Sequence, residues 1–251
     1  MTKIRKQLVE VARGDRPADL YIENGRILNV YSGEILSGLG IAVTAGHVAY
    51  VGPGRGMIGA ATRRLDAEDR YLVPGYIDPH AHFDCFLSLR SLAASLLPLG
   101  TTTPVNDTLA MVARFGSGGL DYLRAAGAGL PLHVFYTVPA SGWAPELEDL
   151  GYPAGRHLSD AELDALLADD MVLGTAEFLT WRRLISGDPQ AFGRLELARA
   201  RGKLREGHSP GAKADQLQAL AAAGISDCHE AITADDALQR LRAGMYVILR
   251  H

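Results

Sequence analysis

Between Leu20 and Val51 short apolar runs alternate with turn residues: Leu20-Tyr21-Ile22, Arg26-Ile27-Leu28-Asn29-Val30, Gly40-Ile41-Ala42-Val43 and His47-Val48-Ala49-Tyr50-Val51. Asn24-Gly25 and Ala45-Gly46 stand between them as hairpin turns do, so the pattern predicts a small β unit behind a short charged N-terminal segment. His47 falls at a turn and strand start and is expected to be structural.

From Leu72 the rhythm changes. Apolar segments of strand length, at Leu72–Ile77, Thr101–Asn106, Leu132–Thr137, Val172–Glu177, Lys203–Glu206, Gly224–Asp227 and Met245–Leu249, alternate with Ala- and Leu-rich stretches of helical period. Those stretches are Ser88–Leu99, Gly119–Ala126, Ser159–Ala168, Gln190–Ala200, Ala212–Ala223 and Thr233–Ala243. Ser159-Asp160 and Thr233 to Asp236 read as helix N-caps, and Gly244 as a stop. Strand and helix in regular alternation predict parallel βα units, and seven strands predict an α/β fold of the (β/α)8 type lacking its last strand. The expected domains are residues 1–70, a β-sandwich portion, and 71–251, the barrel.

Composition supports a globular chain: 251 residues, 47 % hydrophobic and 22 % charged. A net charge of -4 with scattered Lys and Arg argues against nucleic-acid binding, and no apolar run reaches the roughly 20 residues needed to span a bilayer. The N-terminus lacks a signal-peptide core, so a cytoplasmic location is expected. Cys85 and Cys228 cannot staple a domain of this size, and both read as packing residues or thiols at a pocket wall.

Within that frame the run PGYIDPHAHFD, Pro74 to Asp84, acquires chemical meaning. His80 and His82 stand two residues apart, a spacing that projects both imidazoles to one side of a strand, and Asp78 and Asp84 flank them. Glu177 ends MVLGTAEF, His208 lies in REGHSPG and His229 in GISDCHEAIT, each after a predicted strand, where a barrel collects its active site. Imidazoles with a carboxylate suit zinc, manganese or iron, and a carboxylate can bridge two ions. His133, within a predicted strand, reads as a core histidine; His157 and His251 are not expected to be ligands. Asp107 and Glu230 are further candidates.

These motifs resemble the amidohydrolase superfamily and, within it, the adenine deaminases. PGYIDPHAHFD is similar to the first barrel strand of the superfamily; EGHSPG, GISDCHEAIT and ADDALQRLRAGMYVILR are similar to the GH-P segment, the DHE-like segment and the closing strand of adenine deaminases. The resemblance implies one metal on His80 and His82, a second on His208 and His229, and Glu177 bridging them, with a metal-activated hydroxide attacking C6 of adenine to give hypoxanthine and ammonia. It implies acid, base or orienting roles for Glu177, Glu230 and Asp84, substrate contacts from Asp107 and Cys228, a purine substrate, and a homo-oligomer.

Asp84 and Cys85 stand where relatives carry Glu and Ser, NDTLAM replaces a DPHE-like segment, and Cys228 stands where Asp is expected. The chain also closes at His251 before an eighth strand and its Asp, which reads as truncation. Two alternatives follow: a relative acting on a cyclic amide or N-acyl substrate, as dihydroorotases, hydantoinases and deacetylases do, or an inactive binding or structural relative.

Overall fold

The computed structural model of the chain describes residues 2–54, 56–141 and 158–250; His157 and His251 lie outside these. The chain divides into two compact units, Met1–Pro74 and Gly75–His251.

The first unit opens with helix α1 (Thr2–Arg13), which occupies most of the segment read from sequence as merely charged. Its Val11 is fully buried with Ala18, Tyr21, Ala42 and Met57, and that apolar anchor is what holds a helix whose other side chains mostly face outward. Seven short strands follow: β1 (Leu20–Glu23), β2 (Arg26–Leu28), β3 (Ile35–Leu36), β4 (Gly40–Thr44), β5 (His47–Gly52), β6 (Arg63–Asp66) and β7 (Tyr71–Leu72). They form a four-stranded sheet, β5-β4-β1-β6, and a three-stranded one, β3-β2-β7.

Ala45 and Gly46, with φ of 49° and 75°, close the β4–β5 hairpin as expected of a turn with two positive φ values. Asn24-Gly25 does not close a hairpin. β1 and β2 belong to different sheets, and the left-handed Asn24 (φ 55°) redirects the chain from one to the other. The expected strand Leu72–Ile77 is likewise divided: Tyr71-Leu72 pairs with Arg26-Ile27 in the first unit, and the first strand of the second unit starts at Tyr76.

Among the described residues the second unit is one curled parallel sheet of seven strands: β8 (Tyr76–Ala81), β9 (Thr101–Asp107), β10 (Phe135–Val138), β11 (Val172–Phe178), β12 (Leu204–Gly207), β13 (Asp227–Cys228) and β14 (Tyr246–Val247). Strand order follows chain order, as the incomplete barrel reading requires, and β8 and β14 are the sheet edges among the described residues. The connecting helices are α2 (Leu89–Leu96), α3 (Leu109–Phe115), α4 (Ser117–Gly127), α5 (Asp160–Leu167), α6 (Trp181–Ile185), α7 (Pro189–Ala200), α8 (Ala214–Ala222) and α9 (Ala234–Arg242). Leu163, Leu167, Leu184 and Leu195 are fully buried between helices and sheet, with Tyr136 and Phe178 among the largest buried side chains.

The predicted helix starts are present as capping boxes, Ser159 with Glu162 and Thr233 with Asp236. Residue His133 is a correction: it precedes β10 and is exposed, while Leu132 and Val134 on either side are buried. No helix among the described residues is long and apolar enough to cross a membrane, and both cysteines are free, Cys85 exposed and Cys228 buried.

Candidate metal centre

Period-two projection at the end of β8 brings the two imidazoles of the first motif together, edge to face, with Nε2 of His80 and Nε2 of His82 3.2 Å apart. His208 and His229 each follow the last residue of a neighbouring strand, β12 and β13. Gly207 permits this close pairing, since a Cβ there would lie 2.5 Å from the carbonyl oxygen of Asp227. Nδ1 of His208 then stands 3.3 Å from Nε2 of His229, and the His229 ring stacks on that of His80 with centroids 4.1 Å apart.

Glu177, the last residue but one of β11, faces three of the four imidazoles. Its Oε1 is 3.6 Å from Nε2 of His82, while its Oε2 is 2.8 Å from Nδ1 of His208 and 3.0 Å from Nε2 of His229. Burial raises the pKa of this carboxyl, but hydrogen bonds from His208 and His229, with the charges of His208 and His82, outweigh it and hold Glu177 far below the usual carboxylate range. Burial dominates at His82, pushing its imidazolium down to about 4 so that the ring is neutral at pH 7. At His208 burial acts downward too, yet the hydrogen bond to Glu177 and the charges of Glu177 and Glu230 leave its pKa raised.

Glu230 joins the rim of this group: its Oε1 lies 3.5 Å from Nδ1 of His208, 3.4 Å from Nε2 of His229 and 2.7 Å from Nη1 of Arg250, which donates to it. Three other sequence candidates stand further back. Both oxygens of the fully buried Asp107 accept backbone N–H groups, from Leu109 and Glu177, so this side chain fixes the strand that carries Glu177. Burial, then the charges of Glu177 and Glu206, raise its pKa well above the usual value. Asp84 accepts from the backbone N–H of Met111 in the first turn of α3, and burial raises its pKa. Cys228 is fully buried, with Sγ 3.1 Å from Oγ of Ser209. His47, far along the chain, is exposed and meets the carbonyl of Ala45.

Sequence reasoning missed Glu206, Asp227 and Arg240, all buried. The first two were accessible in principle, because Glu206 precedes His208 and Asp227 precedes His229 by two residues, the same-face spacing already used for His80 and His82.

The donor set fits divalent metal ions. Three groups, His80 with His82 and Asp107, His80 with Glu206 and His229, and Glu177 with His208 and His229, each place potential ligand atoms within 4.8 Å of one another. Two imidazole nitrogens facing each other at 3.2 Å can share one proton at most, and beyond the Glu206 carboxyl group the buried Nδ1 atoms of His80 and His229 have no polar partner among the described residues. Imidazole nitrogens around an ionised carboxylate are a nitrogen and oxygen set that zinc, manganese and iron accept.

Comparison with known proteins points the same way. The chain is 37 % identical over 253 aligned positions to adenine deaminase 3 of Rhizobium meliloti, covering 99 % of this chain and 42 % of that protein. It is 36 % identical to the adenine deaminase of Moorella thermoacetica, over 100 % of this chain and 42 % of the relative, and 37 % identical to that of Cenarchaeum symbiosum, over 97 % and 40 %. The chain thus spans about two fifths of the length of the curated relatives it matches. Among solved structures, a D-aminoacylase described with a binuclear metal centre matches with a TM-score of 0.63 at 18 % identity, covering 93 % of this chain and 58 % of the other. Molinate hydrolase matches with a TM-score of 0.59 at 14 % identity, over 93 % and 64 %. No family model matches the chain.

Proposed function

For a chain related to the adenine deaminases along its whole length and folded as an amidohydrolase barrel portion, we propose hydrolytic deamination of adenine to hypoxanthine and ammonia. The observation that carries this reading is Glu177, whose two oxygens face different histidines, Oε1 toward His82 and Oε2 toward His208 and His229. His80 and His82 would hold one divalent ion and His208 and His229 a second, with Glu177 between them; manganese, iron and zinc all suit the set. Such ions supply Lewis acidity that brings the pKa of water toward neutrality.

The chain's own residues do the rest. Glu177, whose carboxyl is held low by hydrogen bonds from His208 and His229, keeps the surrounding imidazoles oriented. Asp107 holds the backbone N–H of Glu177 and thereby its register on β11. Glu230, at the partly open rim and anchored by Arg250, is placed to take a proton from water and deliver it to the departing amine. In balance, a water oxygen bonds to C6, the bond from C6 to the exocyclic nitrogen breaks, and the two water protons end on ammonia and the ring. Asp84, through its bond from Met111, and Cys228, through its contact with Ser209, would shape the pocket by the segments they anchor.

The test is metal content and ammonia release. The full chain purified with Mn2+ should take up two ions, lose both in His80→Ala/His82→Ala, and release ammonia from adenine. A chain that takes up no ion, or that releases ammonia from cyclic amides and not from adenine, would overturn the proposal.

A further inference from the structure

Glu206 lies on β12 two residues before His208 and is buried. Its Oε1 contacts Nδ1 of His80 directly, and neither atom has another hydrogen-bond partner. The same oxygen is 3.8 Å from Nδ1 of His229, also buried and unpartnered, and the His80 and His229 rings stack with an interplanar angle of 18°. One carboxylate therefore backs two parallel imidazoles, one from each histidine pair.

An imidazole whose Nδ1–H is held by a carboxylate presents Nε2 as a lone pair, and such outer partners fix ring orientation and ligand basicity. Nε2 of His80 points at His82, and Nε2 of His229 points at Glu177. We propose that Glu206 is a positioning residue that holds His80 as its Nδ1–H tautomer, turning the Nε2 lone pair of that ring into the centre and, through the His229 ring stacked on it, tying the two halves together. The inference rests on the metal reading above for its purpose, but the His80 tautomer itself does not.

The experiment uses the full chain, with 15N-labelled histidine, in the metal-free form and under titration with Zn2+ alone. Metal-free wild type should show His80 as the Nδ1–H tautomer. Glu206→Leu, which offers no acceptor, should lose that state at His80 and bind Zn2+ about 10- to 100-fold more weakly. Glu206→Gln keeps a neutral acceptor, so the tautomer should persist with roughly a tenfold loss of affinity; it carries the test if the leucine variant does not fold. An Nε2–H tautomer at His80 in the wild type, or Zn2+ affinity in either variant within about twofold of wild type, would overturn the proposal. Wild type that takes up no Zn2+ yet loses the His80 tautomer in Glu206→Leu would sink the metal reading alone and leave Glu206 in its positioning role.

Discussion

Arg240→Met is the most informative perturbation outside the metal centre, because one buried guanidinium joins the two loops that carry His208 and His229. Arg240, on α9, is 2 % exposed; its Nη2 donates to the carbonyls of Ser209 (3.1 Å) and Glu230 (3.3 Å), and its Nη1 to that of Asp236 (3.1 Å). The Asp236 carbonyl lies four residues back on the same helix, where the backbone N–H of Arg240 serves it in any case. The Ser209 carbonyl keeps only a 3.3 Å turn bond from Ala212. Two charge-assisted bonds are therefore at stake, each worth about 1.5–3 kcal/mol, or about 3–6 kcal/mol gross. Methionine fills the stem volume and removes a desolvated charge, which returns part of this, so the expected loss is about 2–4 kcal/mol. Equilibrium denaturation of the metal-free full chain by guanidinium chloride measures it. Zn2+ titration of the same variant should show weakened binding, since both histidine loops lose their shared tether. A loss below about 0.5 kcal/mol, the range of an ordinary surface change, with unchanged Zn2+ affinity would refute the reasoning.

Three other outcomes are expected. Leu163→Ala empties a fully buried position on α5 in the main core and should lower unfolding free energy by about 2–5 kcal/mol, read by denaturant titration. Ser159→Ala removes the oxygen that accepts from the N–H of Glu162 and should cost about 0.5–2 kcal/mol in the same assay. Asp188 is held below the usual carboxylate range by the N–H of Ala191 and the guanidinium of Arg183. Its contribution is complete above the unfolded-state pKa of roughly 4 and is lost as pH falls through the lower folded-state value. Melting temperature measured downward from about pH 5 should therefore drop less steeply in Asp188→Asn than in wild type; parallel curves would remove the ascribed role.

Several features were legible because they are local. Capping boxes span four residues, and both Ser159 with Glu162 and Thr233 with Asp236 formed where the sequence marks them. The His80-x-His82 spacing needs only the pleat of one strand. The alternation of strands and helices from β8 onward follows from the periods alone, as does the Ala45-Gly46 hairpin. Even His133 obeyed its period: buried Leu132 and Val134 place it outward, a pattern present in LPLHV but overruled by the expectation of a core histidine.

Other features depended on partners far along the chain. Tyr71-Leu72 reads as continuous with the strand after it, and only its pairing with Arg26-Ile27 assigns it to the first unit. Arg240 reads as one more exposed helix charge until packing turns it toward two loops. By itself the sequence determined which residues share a strand end: His80 with His82, Glu206 with His208, Asp227 with His229. Tertiary structure decided which of those ends face each other, so that Glu177 meets three of the four imidazoles and Glu206 stands behind two of them. The physical reason is that side-chain direction along a strand is set by the backbone period, whereas ångström-scale distances between strands are set by curl and register of the whole sheet, to which every strand contributes.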